Sequence, residues 1–231
     1  KNLKFIARVG SGTENIDIEY AKKRGITILS AGEGNANAVG EHTLSLILSL
    51  FNNIIKANNE INNNVWQREG NRGIELENKT VGIIGYGKTG KNFAKKLAGF
   101  NVKVICNDVI ENIGDDYAEQ VSIDEIQSKC DIISLHTDLN KLSKHLVNTQ
   151  FIDNCKKPFY LINTSRGQCV KTSDLILGIK TGKILGACLD VIENESSSFE
   201  NFNQDSYLDF LKKSEKVILT PHVAGWTFES K

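Results

Sequence analysis

The chain has 231 residues with 28 Lys+Arg against 28 Asp+Glu, so its formal net charge is zero and it lacks the basic excess of a nucleic-acid binder. A hydrophobic content of 40% with 24% charged residues is that of an ordinary globular protein and excludes disorder. No apolar run reaches the roughly 18 residues that a membrane span needs. In chain order, the hydrophobic pattern predicts a strand over residues 3–9, a helix over 18–24, a strand over 26–30 and a long helix over 36–63. Asparagines at 62–64 and glycines at 70 and 73 mark an irregular polar arm. Beyond it the pattern predicts strands over 80–84, 102–107, 131–136, 159–163, 184–191 and 217–220. Helices over 89–99, 123–129, 149–154, 173–180 and 207–212 separate them. Short runs of Val, Ile and Leu alternating with helices are the signature of a parallel sheet covered on both faces, an α/β doubly wound fold.

Other features bear on compartment and extent. The five cysteines are odd in number, widely spaced and without a C-x-x-C pair, which predicts buried reduced thiols in a cytoplasmic protein rather than a disulfide framework or a metal site. The opening KNLKFIARVG has too short an apolar stretch for a signal peptide. The chain contains no Met and opens on Lys1, which points to a piece of something larger.

The run Gly85-Tyr86-Gly87-Lys88-Thr89-Gly90 directly follows an apolar strand and opens a helix. In that setting Gly85 permits the tight turn, Gly87 lets the backbone approach a pyrophosphate, and Gly90 lets the helix pack on the strand. The free N–H groups of Lys88 and Thr89 and the positive end of the helix dipole suit phosphate. The next strand ends in Asp108, whose carboxylate can accept hydrogen bonds from a ribose and would repel a 2′-phosphate, so the expected cofactor is NAD rather than NADP.

Three later strands end in polar groups, where open α/β sheets bind ligands. Thr164-Ser165-Arg166-Gly167 follows one, Glu193-Asn194-Glu195 the next, and Pro221-His222-Val223-Ala224-Gly225 the last. An arginine fork can hold a carboxylate or polarise a carbonyl, a histidine can exchange a proton near neutral pH, and a carboxylate beside it stabilises the imidazolium. Each also has a plain alternative: Arg166 as a surface ion-pair partner, Glu195 as a solvated charge, His222 as a satisfied strand-end residue. Of the remaining histidines, His42 is expected to pack within the long helix, with Glu41 beside it leaving room for a polar role. His136 is expected to line the cofactor cleft, and His145 to be solvated in a Lys/Asn-rich loop.

Together the segments RVGSGTENIDIEYAKKRGI, EGNANAVGEHTLSLILSL, KTVGIIGYGKTGKNFAKKL, INTSRG, ILGACLDV and ILTPHVAGWT resemble the NAD-dependent D-2-hydroxyacid dehydrogenases, most closely the bacterial D-3-phosphoglycerate dehydrogenases. The resemblance runs through essentially the whole chain. It implies a Rossmann-type NAD-binding domain over residues 35–226, a remnant of a flavodoxin-like substrate domain over 1–34, and the start of a returning helix at 227–231. It also implies roles. Arg166 orients the 2-oxo acid, and His222 is the proton donor in reduction. The catalytic glutamate five residues after Asp190 is Glu195, with Glu193 as the alternative because Ser196 stands where the family usually has proline. Asp190 faces the nicotinamide amide, while Thr137, Thr164, Ser165 and Gly225 match cofactor-contacting positions. Ser11 and Gly12 offer backbone N–H groups to the substrate carboxylate. Asp138 departs from a proline usual in the family. The arm near 60–78, around Trp66, implies a homodimer. The implied reaction is hydride transfer between NAD and C2 of a small 2-hydroxy or 2-oxo acid. Candidates are the D-3-phosphoglycerate/3-phosphohydroxypyruvate pair of serine biosynthesis, with Arg8, Arg68 and Arg72 as possible phosphate contacts, or a glyoxylate/hydroxypyruvate reduction. The rival is an NAD-sensing corepressor that uses the same fold as a binding module. No metal is expected.

Overall fold

Phe5–Arg8 (β1) and Thr27–Ser30 (β2) pair in parallel as a two-stranded sheet, joined by the helix Ile18–Lys23 (α1). Asp17 caps that helix by accepting from the Tyr20 N–H at 2.8 Å. The computed structural model describes residues 2–8, 10, 12–13, 15–195 and 206–230. Ser11 lies outside the described residues.

Helix α2 spans Gly32–Phe51 and α3 spans Ile54–Asn62. The single helix expected over 36–63 is thus two. Asn53 takes the left-handed conformation at φ +52, which ends α2 and redirects the chain, and Asn tolerates that conformation better than other non-glycine residues. Residue 34, the expected domain limit, falls in the first turn of α2.

Seven parallel strands follow: Thr80–Ile84 (β3), Lys103–Asn107 (β4), Glu119–Gln120 (β5), Ile132–Leu135 (β6), Phe159–Asn163 (β7), Ile184–Leu189 (β8) and Val217–Leu219 (β9). Between them run Lys88–Leu97 (α4), Ile123–Lys129 (α5), Thr149–Asn154 (α6), Thr172–Lys180 (α7) and Ser206–Lys213 (α8). The spatial order is β5-β4-β3-β6-β7-β8-β9, so the chain winds outward in both directions from β3 and β6. This is the doubly wound order, with its switch point between those two strands. Successive residues on each strand enter opposite cores. Ile83, Ile132, Ile162 and Cys188 pack with Leu46, Phe51 and Phe93 on one face, and Ile84, Ile133, Leu161 and Ala187 pack with Ile126, Phe151 and Leu175 on the other. That is why the strands read as continuous apolar runs instead of alternating ones. All five cysteines are free and buried. No described helix is long and apolar enough to cross a membrane.

Candidate active site

The glycine loop leaves the carboxyl end of β3 at the switch point. Gly85 has φ +90, and a Cβ there would lie 2.6 Å from the carbonyl oxygen of His136, so only glycine fits. Gly87 is the N-cap of α4 and offers no side-chain acceptor, so the first N–H groups of the helix are left for a ligand. A Cβ on Gly87 would meet nothing within 4 Å among the described residues. An uncapped helix start behind an open face fits a dinucleotide pyrophosphate, with Gly85, Gly87, Lys88, Thr89 and Gly90 able to line it. Lys88 is ion-paired with Glu33.

Asp108 closes the loop from the neighbouring strand. Its Oδ2 accepts from the Tyr86 N–H at 2.6 Å and its Oδ1 from the Ile110 N–H at 3.0 Å. Its carboxylate therefore sits at the end of β4 beside the glycine turn, where a ribose can reach it. Tyr86 itself turns inward, fully buried, and donates to Asp115 at 2.7 Å. His136 lies beneath this loop, buried between Ser134, whose Oγ is 2.9 Å from its Nε2, and the ring of Phe93. It packs under the cleft, and burial pushes its pKa down to about 3, so it is neutral at ordinary pH.

The ends of β7, β8 and β9 carry the remaining candidates. His222 Nδ1 and Glu195 Oε1 are 2.6 Å apart, both largely shielded from solvent. Glu193, the alternative carboxylate, is engaged elsewhere. Its Oε1 is 2.7 Å from His145 Nε2 and its Oε2 accepts from the Thr172 N–H at 2.8 Å. The geometry thus separates two glutamates that spacing alone left open, and His145 is paired rather than simply solvated.

His222 sits at φ +55 in a turn held almost wholly by Asp190. The Asp190 carboxylate is 1% exposed. Its Oδ1 accepts from the Thr220 hydroxyl at 2.5 Å and the Val223 N–H at 2.9 Å, and its Oδ2 accepts from the Ala224 N–H at 2.8 Å. The Asp190 backbone carbonyl takes the His222 N–H at 2.8 Å. Burial opposes the charge, but hydrogen bonds from His42, Thr220 and the two backbone N–H groups outweigh it and hold the carboxyl below its ordinary pKa. His42 Nε2 is 3.0 Å from the Thr220 hydroxyl. Because that hydroxyl gives its only proton to Asp190, it accepts from His42, which fixes the proton on Nε2. His42 is therefore a polar link from α2 to the site and not merely a packing residue.

Asn163, fully buried at the end of β7, organises the arginine turn. Its Oδ1 accepts from the N–H and hydroxyl of Ser165, at 3.1 and 2.9 Å, and its Nδ2 donates to the Arg166 carbonyl at 2.9 Å. Arg166 is half-buried and donates through Nη1 to the Ser165 carbonyl at 2.8 Å. Thr164 pairs with the Thr43 hydroxyl at 3.0 Å, Thr137 lies 3.5 Å from Cys169 Sγ, and Gly225 abuts Asn35. Gly12 lies half-buried in the loop after β1. Asn163, Thr220, His42 and Thr43 were not among the residues expected in the site. The one sequence signal for them is an Asn two residues before a Ser at a strand end, a pattern suited to an Asx turn. Among the described residues no group of three or more His, Cys, Asp or Glu can hold a metal ion.

The NAD-binding-domain model of the D-isomer-specific 2-hydroxyacid dehydrogenases matches residues 44–224. This chain belongs to that family. Its members are NAD-dependent enzymes, and NAD is the cofactor. The chain is 37% identical over 95% of its length to a putative D-lactate dehydrogenase of Dictyostelium discoideum, covering 67% of it. It is 33% identical over its whole length to a hydroxypyruvate reductase of Thermotoga maritima, covering 74% of that protein. The D-3-phosphoglycerate dehydrogenase of Bacillus subtilis is 34% identical over the whole chain, which spans 43% of it. The solved structure of Aquifex aeolicus D-lactate dehydrogenase with NAD and lactic acid superposes with a TM-score of 0.86 at 33% identity, over 99% of this chain and 72% of that one.

Proposed function

We propose that this dehydrogenase interconverts a short D-2-hydroxy acid and its 2-oxo acid, with His222, Glu195 and Arg166 as its catalytic residues. The observation that carries the assignment is the 2.6 Å contact between His222 Nδ1 and Glu195 Oε1 at the carboxyl edge of the sheet that also bears the glycine loop. Bound NAD supplies or accepts the hydride. His222 exchanges the proton with the substrate oxygen, and Glu195 orients the imidazole and stabilises its protonated form. The Arg166 guanidinium offsets negative charge that develops on that oxygen and holds the neighbouring carboxylate. Asp190 holds the His222 turn, and Asp108 and the glycine loop hold the cofactor.

The relatives matched over the larger share of their length are named for unphosphorylated acids, lactate and hydroxypyruvate, and this supports an unphosphorylated substrate. The phosphoglycerate reading draws on the match to D-3-phosphoglycerate dehydrogenase. Of the arginines considered for that phosphate, Arg72 is already paired with Glu69 at 2.8 Å. A homodimer through the arm is supported by apolar side chains left in solvent there, Ile61, Val65, Trp66 and Ile74, with Trp66 88% exposed. The unpaired, buried cysteines support a reducing, cytoplasmic setting.

The test is steady-state NADH oxidation with pyruvate, hydroxypyruvate, glyoxylate and 3-phosphohydroxypyruvate. His222→Gln should lower kcat by roughly 10²–10⁴-fold with NADH binding little changed. A protein that binds NADH but turns over none of these acids would sink the catalytic reading in favour of an NAD-sensing binding module.

A further inference from the structure

Two residues before Glu195, the chain makes a second carboxylate–imidazole pair that the reaction does not use. Glu193 Oε1 meets His145 Nε2 at 2.7 Å, and Glu193 Oε2 accepts from the Thr172 N–H at 2.8 Å. Thr172 begins α7, whose N-cap residue Lys171 provides no side-chain capping hydrogen bond. Glu193 therefore acts as that helix's cap from a distance, with its charge at the positive end of the dipole. Burial works against that charge, but the hydrogen bonds from Thr172 and His145 outweigh it, and the carboxyl stays below its ordinary pKa.

One side chain thus ties three segments together, and all three border the site. His145, in the left-handed region at φ +52, donates its N–H to the Gln168 carbonyl at 2.7 Å, two residues past Arg166. A Cβ on Gly167 would lie 1.9 Å from the Ile192 carbonyl, so the arginine turn and the turn leading to Glu195 abut backbone to backbone. The Glu195 N–H closes its own turn on the Ile192 carbonyl at 3.2 Å. Gly167 directly follows Arg166 and Ile192 directly precedes Glu193, so the Gly167–Ile192 contact joins the two turns one residue from Arg166 and three from Glu195.

We propose that Glu193 and His145 are positioning residues that set the separation between Arg166 and the Glu195–His222 pair. The inference rests on the catalytic reading above. A displacement of about 1 Å between groups that must act together can cost about 100-fold in rate. Glu193→Ala is expected to lower kcat/KM for the 2-oxo acid roughly 10- to 100-fold while leaving the NADH dissociation constant unchanged. Glu193→Gln, which keeps an acceptor for Thr172 and a polar partner for His145, should recover most of that loss. His145→Ala, which leaves the Thr172 contact in place, should lower kcat/KM by no more than Glu193→Ala does, and the double variant should be no worse than Glu193→Ala, which already removes the pair. If Glu193→Ala does not fold, His145→Ala, which removes the 2.7 Å contact and leaves Thr172 bonded to Glu193, carries the test alone. Wild-type kcat/KM in these variants with only a lowered melting temperature, or losses that add in the double variant, would overturn the proposal. His222→Gln in the same series keeps the two readings apart: full activity there refutes the catalytic assignment and not the clamp alone.

Discussion

Replacing His136 by Phe should flatten the acid side of the stability curve. His136 lies buried beneath the glycine loop, with its Nδ1 lacking any hydrogen-bond partner among the described residues and its ring stacked on Phe93 at 5.5 Å between centroids. Burial lowers its pKa from 6.5 to about 3. The unfolded chain therefore takes up a proton as pH falls through about 6.5, while the folded chain stays neutral until about pH 3. Between those values the unfolded state binds more protons, so stability falls as pH falls. From pH 8 to pH 5 the linkage for this one group amounts to about 2 kcal/mol, and below about pH 3 it no longer grows. Phe keeps the ring packing and removes the titration, but leaves Ser134, 2.9 Å from His136 Nε2, without its partner. That should make the variant about 1 kcal/mol less stable than wild type at pH 8. By pH 5 the gap should close or reverse. For a chain of this size 2 kcal/mol corresponds to roughly 4–8 °C in melting temperature, so melts at pH 8 and pH 5 in matched ionic strength suffice. Every other ionisable group is common to the two proteins and cancels in the difference. Parallel losses of melting temperature in wild type and variant would refute the reasoning.

The glycine loop and the Asp190 turn give two further expectations. Gly87→Ala should fold with an unchanged melting temperature, because the new methyl group meets nothing within 4 Å, yet it should weaken NADH binding at least tenfold in a fluorescence titration. Gly90→Ala should lose stability as well as binding, since its Cβ would lie 2.3 Å from the Gly85 carbonyl oxygen. Asp190→Asn puts its amide NH₂ against one of the two backbone N–H groups that now donate to a buried carboxylate, which should cost about 3–5 kcal/mol in urea unfolding and reduce kcat by releasing the His222 turn.

The strands were legible because both faces of the sheet are buried, so β3, β6 and β7 had to be largely apolar on both sides, and their limits came within a residue or two of the expected ones. The edge strand β5 was not legible. Glu119–Gln120 carries no hydrophobic pattern and is a strand only because its backbone pairs with Ile105 and Cys106. The helix break at Asn53 was hidden because Ile54 and Ile55 prolong the apolar pattern, while the signal was a conformation of one asparagine. In the site, sequence motifs pointed to the residues that stand at strand ends. They could not point to the residues that hold them. His42 reaches Thr220 across 178 positions and Thr43 reaches Thr164 across 121, distances at which no local spacing rule operates.

Those long-range contacts explain how a site spread over three loops keeps one geometry. The parallel ladder does not stop where the regular strands end. The Asp190 N–H donates to the Asn163 carbonyl at 3.0 Å and the Thr220 N–H to the Leu189 carbonyl at 3.0 Å, which continues the pairing of β7, β8 and β9 one step into the turns. The side chains of Asn163 and Asp190 then take over, one folding the Arg166 turn and the other the His222 turn. Strand register therefore fixes where the Arg166 and His222 turns begin, and a slip of one residue on either strand would move one turn by about 3.3 Å. The pairing of β7 with β8 does contain an irregularity, but it lies between Phe159 and Tyr160, at the amino end of the sheet. From Tyr160 opposite Gly186 to Asn163 opposite Leu189 the register is unbroken, so this pairing absorbs its irregularity at the end farthest along β7 from the arginine turn.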